Sequence, residues 1–105
     1  MVHLVTDMDD LKSQFGSAGD KLVVVDFYAT WCGPCKIIAP QLEEMDKTMD
    51  DVVFLKVDVD EAEEVAQEYN ISAMPTFIFF KNGKKIDDFM GANSDKLKDM
   101  IKKHK

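Results

Sequence analysis

The sequence contains no arginine, so its 13 basic side chains are all lysines, outnumbered by 20 aspartates and glutamates. The net charge of −7 disfavours nucleic acid or an anionic membrane as a partner, because both would repel an acidic protein. No hydrophobic run approaches the roughly 20 residues that a membrane-spanning helix requires. Internal repeats and low-complexity linkers are also absent, and residues 1–105 are therefore predicted to form a single soluble domain.

Cysteine is scarce, since Cys32 and Cys35 are the only two. A disulfide-stapled secreted domain usually carries more, and the loop between these two is too short to restrain the unfolded chain much. A structural zinc ion needs four ligands, and His3 and His104 lie at opposite ends of the chain without ligand spacing. No metal site is predicted. An inert structural disulfide remains an alternative to a reactive pair.

Hydrophobic periodicity predicts alternating strands and helices. Strands are predicted at residues 2–5, 22–29, 52–59, 76–81 and 85–90, with Asn82-Gly83 as a hairpin turn between the last two. Helices are predicted from Met8 to the Gly16–Gly19 region, from Pro34 to about Met49, from Ala62 to Tyr69, and from Asn93 or Ser94 through Ile101. The order βαβαβαββα predicts an α/β fold in which a mixed sheet of about five strands carries helices on both faces.

Local signals mark several of the helix ends. Thr6 is expected to cap the first helix, and Asn93 or Ser94 the last. Pro34 suits the first turn of its helix, because its missing N–H would be unpaired there. Pro40 lies inside the same helix and is expected to kink it.

The segment from Trp31 to Lys36 lies between a buried strand and the start of a helix. Cys32 precedes the first helical turn, so free N–H groups and the positive end of the helix dipole favour its thiolate. Cys35 lies within that turn and farther from solvent. We therefore predict that Cys32 attacks a substrate disulfide and that Cys35 then attacks Cys32 to release the reduced substrate.

The motif Trp31-Cys32-Gly33-Pro34-Cys35 resembles the active-site motif of the thioredoxin family. The resemblance continues through Asp26-Phe27-Tyr28-Ala29, Met74-Pro75-Thr76-Phe77 and Gly91-Ala92-Asn93, and so covers nearly the whole chain. It implies the thioredoxin fold and the reduction of disulfides in other proteins, with Gly33 and Pro34 as part of the catalytic motif. It also implies re-reduction by NADPH-dependent thioredoxin reductase and no bound cofactor.

The family's recipients of electrons are ribonucleotide reductase, peroxiredoxins and methionine sulfoxide reductases, and the resemblance implies the same classes here. Some animal thioredoxins carry extra cysteines at positions that correspond to Ala62, Tyr69 and Ala73 in this chain. Without those cysteines, a monomer is expected. Residues 1–7 resemble neither a secretory signal nor a transit peptide. A cytoplasmic location is therefore expected, with a nuclear or signal-less secreted fraction compatible with the family.

Asp26 is the one acid in the apolar run from Leu22 to Tyr28. It is either a strand-end residue that reaches solvent or a buried carboxyl whose pKa is raised by desolvation. The resemblance favours the buried acid, which would exchange a proton with Cys35 through water. Lys56, in the facing strand, either modulates Asp26 or is a solvated strand-end lysine.

A substrate groove is predicted beside the cysteines. Trp31 would form one wall with Val59 and Met74, and Met74 is expected to be exposed. Gly91 and Ala92 would complete the groove. Pro75 and Thr76 are also predicted to contact substrate. By resemblance, Pro75 is a cis-proline packed against the cysteines, and Thr76 begins the strand that follows.

The sequence also has to be compared with alternative functions. Oxidants and isomerases with the same fold commonly have a histidine between their cysteines, and glutaredoxins usually have Pro-Tyr there. This chain has Gly33-Pro34 at that place, which disfavours both functions. The alternative from another class is a binding module that holds a partner protein while its thiols are incidental.

Overall fold

The computed structural model describes all residues from 1 to 105. Nine elements follow in the predicted order βαβαβαββα. The strands are β1 His3–Leu4, β2 Leu22–Tyr28, β3 Val52–Asp58, β4 Thr76–Lys81 and β5 Lys84–Met90. The helices are α1 Met8–Ala18, α2 Gly33–Thr48, α3 Glu63–Glu68 and α4 Ser94–His104. The predicted elements are all present, and β1 is shorter than predicted.

The five strands form one mixed sheet in the order β1-β3-β2-β4-β5. Strand β3 pairs in parallel with both β1 and β2, whereas β4 pairs antiparallel with β2 and with β5. β2 is therefore the central strand, and every one of its residues except Tyr28 is buried. This position explains the apolar run from which Asp26 stands out.

The core is divided by the sheet into two layers. Val24 and Phe54 pack with residues of α2 and α4 on one face. Val23, Val25 and Phe27 pack with residues of α1 and α3 on the other. Because side chains alternate along a strand, Asp26 lies on the same face as Val24 and therefore beneath α2.

The cap of α1 differs from the prediction. Asp7, not Thr6, is the N-cap residue, and its Oδ1 accepts the Asp10 N–H at 2.8 Å. Thr6 is one residue too early, and its own N–H donates to Asp10 Oδ2 at 2.9 Å. Asn93 caps α4, accepting the Lys96 N–H at 3.0 Å.

The edges of the sheet are short or charged. β1 forms one edge with only two residues. β5 forms the other edge, and its lysines and aspartates are exposed or half-buried: Lys84, Lys85, Asp87 and Asp88. No helix combines the length and the apolar character needed to cross a membrane.

Candidate active site

The cysteine pair lies where β2 leads into α2. Cys32 has extended backbone and is the N-cap of α2, and its Sγ accepts the Cys35 N–H at 3.2 Å. Gly33 and Pro34 are the first two residues of the helix, and Cys35 follows in its first turn. The Cα atoms of the two cysteines are 5.3 Å apart, and their sulfurs are joined in a disulfide. The predicted placement of Cys32 ahead of the first helical turn is confirmed.

The cysteines form a small apolar cluster with Ala29, and Tyr28, Val59 and Met74 pack against it. Cys32 is 6% exposed and Cys35 is 3% exposed. The difference has the predicted direction, with Cys35 the more buried of the two.

Asp26 is buried in the middle of the sheet, with a relative exposure of 3%. It pairs with Lys56 of β3 on one side and Phe77 of β4 on the other. Its Oδ1 has no hydrogen-bond partner. Burial raises the pKa of Asp26 from 3.8 to about 7, and the positive charge of Lys56 offsets part of this effect. The solvated strand-end alternative is wrong for Asp26.

A cavity of about 270 Å³ connects Asp26 with Cys35. Lys36 and Glu43 of α2 and Lys56 of β3 also line it. A water molecule occupies about 30 Å³ in the liquid, so the cavity has room for several waters between Asp26 and Cys35. Lys56 lies within its strand rather than at the end, with its side chain 31% exposed and Nζ 3.9 Å from Glu43 Oε2.

The Met74–Pro75 peptide bond is cis, as the resemblance implies. The Met74 carbonyl oxygen lies 3.6 Å from Cys32 Sγ. Met74 is half-buried rather than exposed, because it packs against the cysteine cluster. Thr76 is buried, and its hydroxyl donates to the Ala73 carbonyl at 2.6 Å, which closes the loop that carries Met74.

Trp31, Val59 and Met74 line an open groove of about 500 Å³ beside the disulfide. Trp31 is 67% exposed, and its indole N–H donates to Asp60 Oδ2 at 2.9 Å. The structure thus brings three of the five predicted groove residues together in one depression.

Gly91 and Ala92 do not line this groove. The Gly91 N–H donates to the Pro75 carbonyl at 2.9 Å, which places Gly91 next to the cis-proline. Gly91 has a φ of 107°, a conformation that favours glycine. Ala92 is exposed. Both residues remain predictions for substrate contact.

Three acids near the site were not found from the sequence. Asp60 orients Trp31. Asp58 is buried, and its Oδ1 accepts the Asp60 N–H at 2.9 Å, which fixes the turn that presents Asp60. Glu43 contacts Lys56 at the cavity. The acids from 58 to 64 look alike in sequence, and no spacing rule separates the one that meets Trp31.

No group of three or more His, Cys, Asp or Glu side chains is arranged to hold a metal ion. The site combines a cysteine pair joined in a disulfide, a buried acid beneath it and a groove beside it.

A family model described as Thioredoxin matches residues 3–103. The chain belongs to the thioredoxin family. This thioredoxin is 55% identical over 105 residues to Thioredoxin-T of Drosophila melanogaster, covering 99% of the chain and 67% of the fly protein. It is 50% identical over 102 residues to the thioredoxin of Gallus gallus, with 97% of each chain covered. The X-ray structure of Fasciola hepatica thioredoxin matches with a TM-score of 0.97 at 46% identity, covering 99% of this chain and 100% of that one.

Family membership and the fold predicted from the sequence are both confirmed. With its Cys32–Cys35 pair at the start of α2, this thioredoxin is a thiol–disulfide oxidoreductase with protein-disulfide reductase activity.

Proposed function

We propose that the protein reduces disulfides in other proteins with electrons that it receives from NADPH through thioredoxin reductase. The observation that carries the proposal is the Cys32–Cys35 pair, set at a helix N-terminus between an open groove and a buried acid. The proposed recipients are ribonucleotide reductase, peroxiredoxins and methionine sulfoxide reductases. We further propose that it works as a monomer in the cytoplasm, with a nuclear or signal-less secreted fraction.

The first step is attack by the Cys32 thiolate on one sulfur of the substrate disulfide. A mixed disulfide forms between Cys32 and the substrate, and the other substrate sulfur leaves as a thiolate that takes up a proton. The Cys35 N–H, 3.2 Å from Cys32 Sγ, and the N-terminal end of α2 stabilise the attacking thiolate.

The second step requires Cys35 to lose its proton. Asp26 as a carboxylate accepts that proton through the cavity that joins the two residues. The Cys35 thiolate then attacks Cys32 Sγ, the Cys32–Cys35 disulfide forms, and the second substrate sulfur leaves. The substrate has gained two electrons and two protons. A pKa of about 7 suits Asp26 to both accept and return a proton at neutral pH.

The groove supplies recognition in this proposal. Trp31, Val59 and Met74 offer apolar contacts, and the Met74 backbone beside Cys32 is placed to pair with an extended substrate segment. Backbone pairing places few demands on side chains, so many proteins fit the same groove.

The main test is reduction of insulin with NADPH and a thioredoxin reductase, followed through NADPH consumption. The expected result is rapid turnover that Cys32→Ser abolishes. Folded protein with free thiols that shows no turnover with any thioredoxin reductase contradicts the proposed electron source.

A Cys35→Ser variant separates the reductase from a binding module. A reductase without Cys35 loses turnover and accumulates a mixed disulfide through Cys32. A module with incidental thiols keeps its partner binding and accumulates none.

A further inference from the structure

Lys56 lies between two carboxylates, and it contacts only one of them. Its Nζ is 3.9 Å from Glu43 Oε2. It forms no ion pair with Asp26, although Asp26 and Lys56 are direct partners across β2 and β3. Val24 lies two residues before Asp26, and Phe54 lies two residues before Lys56, so each pair points to the same face of the sheet. Val24 and Phe54 belong to the core layer beneath α2, the helix that carries Glu43. All three charged groups therefore line the same cavity.

The carboxylate of Glu43 is anchored from its other side. Glu43 Oε1 accepts the Val2 N–H at 3.0 Å, and Val2 is buried. The same N-terminal segment holds the backbone of Lys56, because the Val5 N–H donates to the Lys56 carbonyl at 2.8 Å. Val2 thus holds the Glu43 carboxylate, and Val5 holds the backbone of Lys56.

We propose that Glu43 is a positioning residue of the active site: by holding the ammonium group of Lys56, it limits the effect of that charge on Asp26 and so keeps Asp26 able to accept the Cys35 proton. The inference rests on the role proposed above for Asp26.

The protonation of Asp26 depends on every charged or titratable group around it. Tyr28 comes from β2, Lys56 from β3, and Lys36, Glu43 and Cys35 from α2. The facing residue of β4 is Phe77, which carries no charge. Glu43 is the only carboxylate among these neighbours of Asp26, and Lys56 is the cation that contacts Glu43.

The charge of Glu43 affects Asp26 in two ways, and both have the same sign. Glu43 repels a second negative charge directly, and it draws Lys56 away from Asp26. Loss of the Glu43 charge therefore lowers the pKa of Asp26 by both routes. A less basic Asp26 removes the Cys35 proton less readily at neutral pH.

The test is a titration of the Asp26 carboxyl by ¹³C NMR in the full chain, in both oxidation states. Glu43→Gln removes the charge and keeps an oxygen for the Val2 N–H. It is expected to lower the Asp26 midpoint by about half to one pH unit. Glu44→Gln is the matched control, because Glu44 is the next residue of α2, is exposed and does not line the cavity. It is expected to leave the midpoint nearly unchanged.

The route through Lys56 is tested in a Lys56→Met background. Lys56→Met alone raises the midpoint, and Glu43→Gln then loses more than half of its effect. An effect of Glu43→Gln that is equally large without Lys56, or equal to that of Glu44→Gln, overturns the proposal. Glu43→Ala, read in the same way, replaces Glu43→Gln if the latter fails to fold.

The pH profile of insulin reduction gives a second readout. Its acidic limb is expected to move to lower pH together with the NMR midpoint in Glu43→Gln, and a purely structural role for Glu43 would leave that limb in place. Because the titration needs no turnover, an unchanged midpoint rejects the role of Glu43. A shifted midpoint in a protein without reductase activity supports that role and rejects the proposed function instead.

Discussion

Asp26 shows how a single residue can lower the stability of a fold while serving its chemistry. An ordinary aspartate with a pKa of 3.8 is charged at neutral pH in the unfolded chain, whereas burial raises the folded pKa to about 7. Above pH 7 the folded state must hold a charge that water would solvate better. The free energy of unfolding is therefore reduced at high pH, and it recovers as the pH falls from 7 towards 4.

We predict that Asp26→Asn stabilises the protein at pH 8 and slows its turnover. At about 1.36 kcal/mol per pH unit, the difference between 3.8 and about 7 corresponds to a gain of up to about 4 kcal/mol. The gain shrinks towards zero at pH 4, where the carboxyl is protonated in the folded protein. Urea unfolding at the two pH values measures it. Asp20→Asn, which changes an exposed acid, serves as the control, and an equal gain at both pH values would contradict the prediction.

Asp60 acts on the groove through Trp31, the only tryptophan of the chain. We predict that Asp60→Asn raises the KM for a protein disulfide a few-fold and changes kcat little. A hydrogen bond to a charged group contributes about 1.5–3 kcal/mol at most, and the bond between Trp31 and Asp60 contributes less because it is exposed to solvent. The fluorescence of Trp31 should change with it. Glu61→Gln is the neighbouring control, and the same loss in that variant would point to net charge instead.

The sequence predicted the roles of individual residues unevenly. Cys32 and Cys35 were predictable because their spacing and the helix start are both local signals. The choice between a solvated and a buried Asp26 was not, since it depends on β2 lying between β3 and β4, a pairing that only the folded sheet defines. The roles of Glu43 and Asp60 were not predictable either, because their partners lie 13 and 29 residues away in sequence.

Among the elements, the central strands and the hairpin follow closely from hydrophobic pattern and turn chemistry, and β4 has the predicted ends. Helix starts are less certain, because several neighbouring residues carry side chains that can cap. Thr6 and Asp7 both have side chains that can cap a helix, and Asp7 is the N-cap in the structure. The Pro40 kink remains a prediction. The structure shows that α2 continues through this proline.

We predict that Asp7→Ala lowers the free energy of unfolding by about 1 kcal/mol, the usual cost of losing an N-cap side chain. Thr6→Ala should cost clearly less, because the Thr6 hydroxyl makes only a long contact of 3.4 Å with Asp10. Chemical denaturation of the two variants compares them directly. A larger loss in Thr6→Ala would show that the sequence-based cap was the correct one.

At the scale of the whole molecule, the protein is acidic, and two of its acids line the groove. The net charge is −7, and Asp60 and Glu63 lie among the groove residues. An acidic field of this kind raises the encounter rate with basic partners, and salt screens it.

We therefore predict that a disulfide peptide flanked by lysines is reduced with a several-fold higher kcat/KM than the same peptide flanked by glutamates at low ionic strength. The preference should shrink strongly at about 0.5 M salt, where charges are screened within a few ångströms. A neutral peptide provides the reference. A preference that persists unchanged at high salt would instead indicate direct contacts in the groove.

The two edges of the sheet also affect whether copies of the protein aggregate. A free edge strand is a template on which another chain can add, and continued addition leads to a fibril. Here one edge offers only two residues. Along the other edge, a copy of β5 added in parallel and in register would place Lys84, Lys85, Asp87 and Asp88 against identical charges, which is destabilising. The short edge and the like charges disfavour in-register fibril growth, and crowded solutions of the protein are expected to remain colloidally stable.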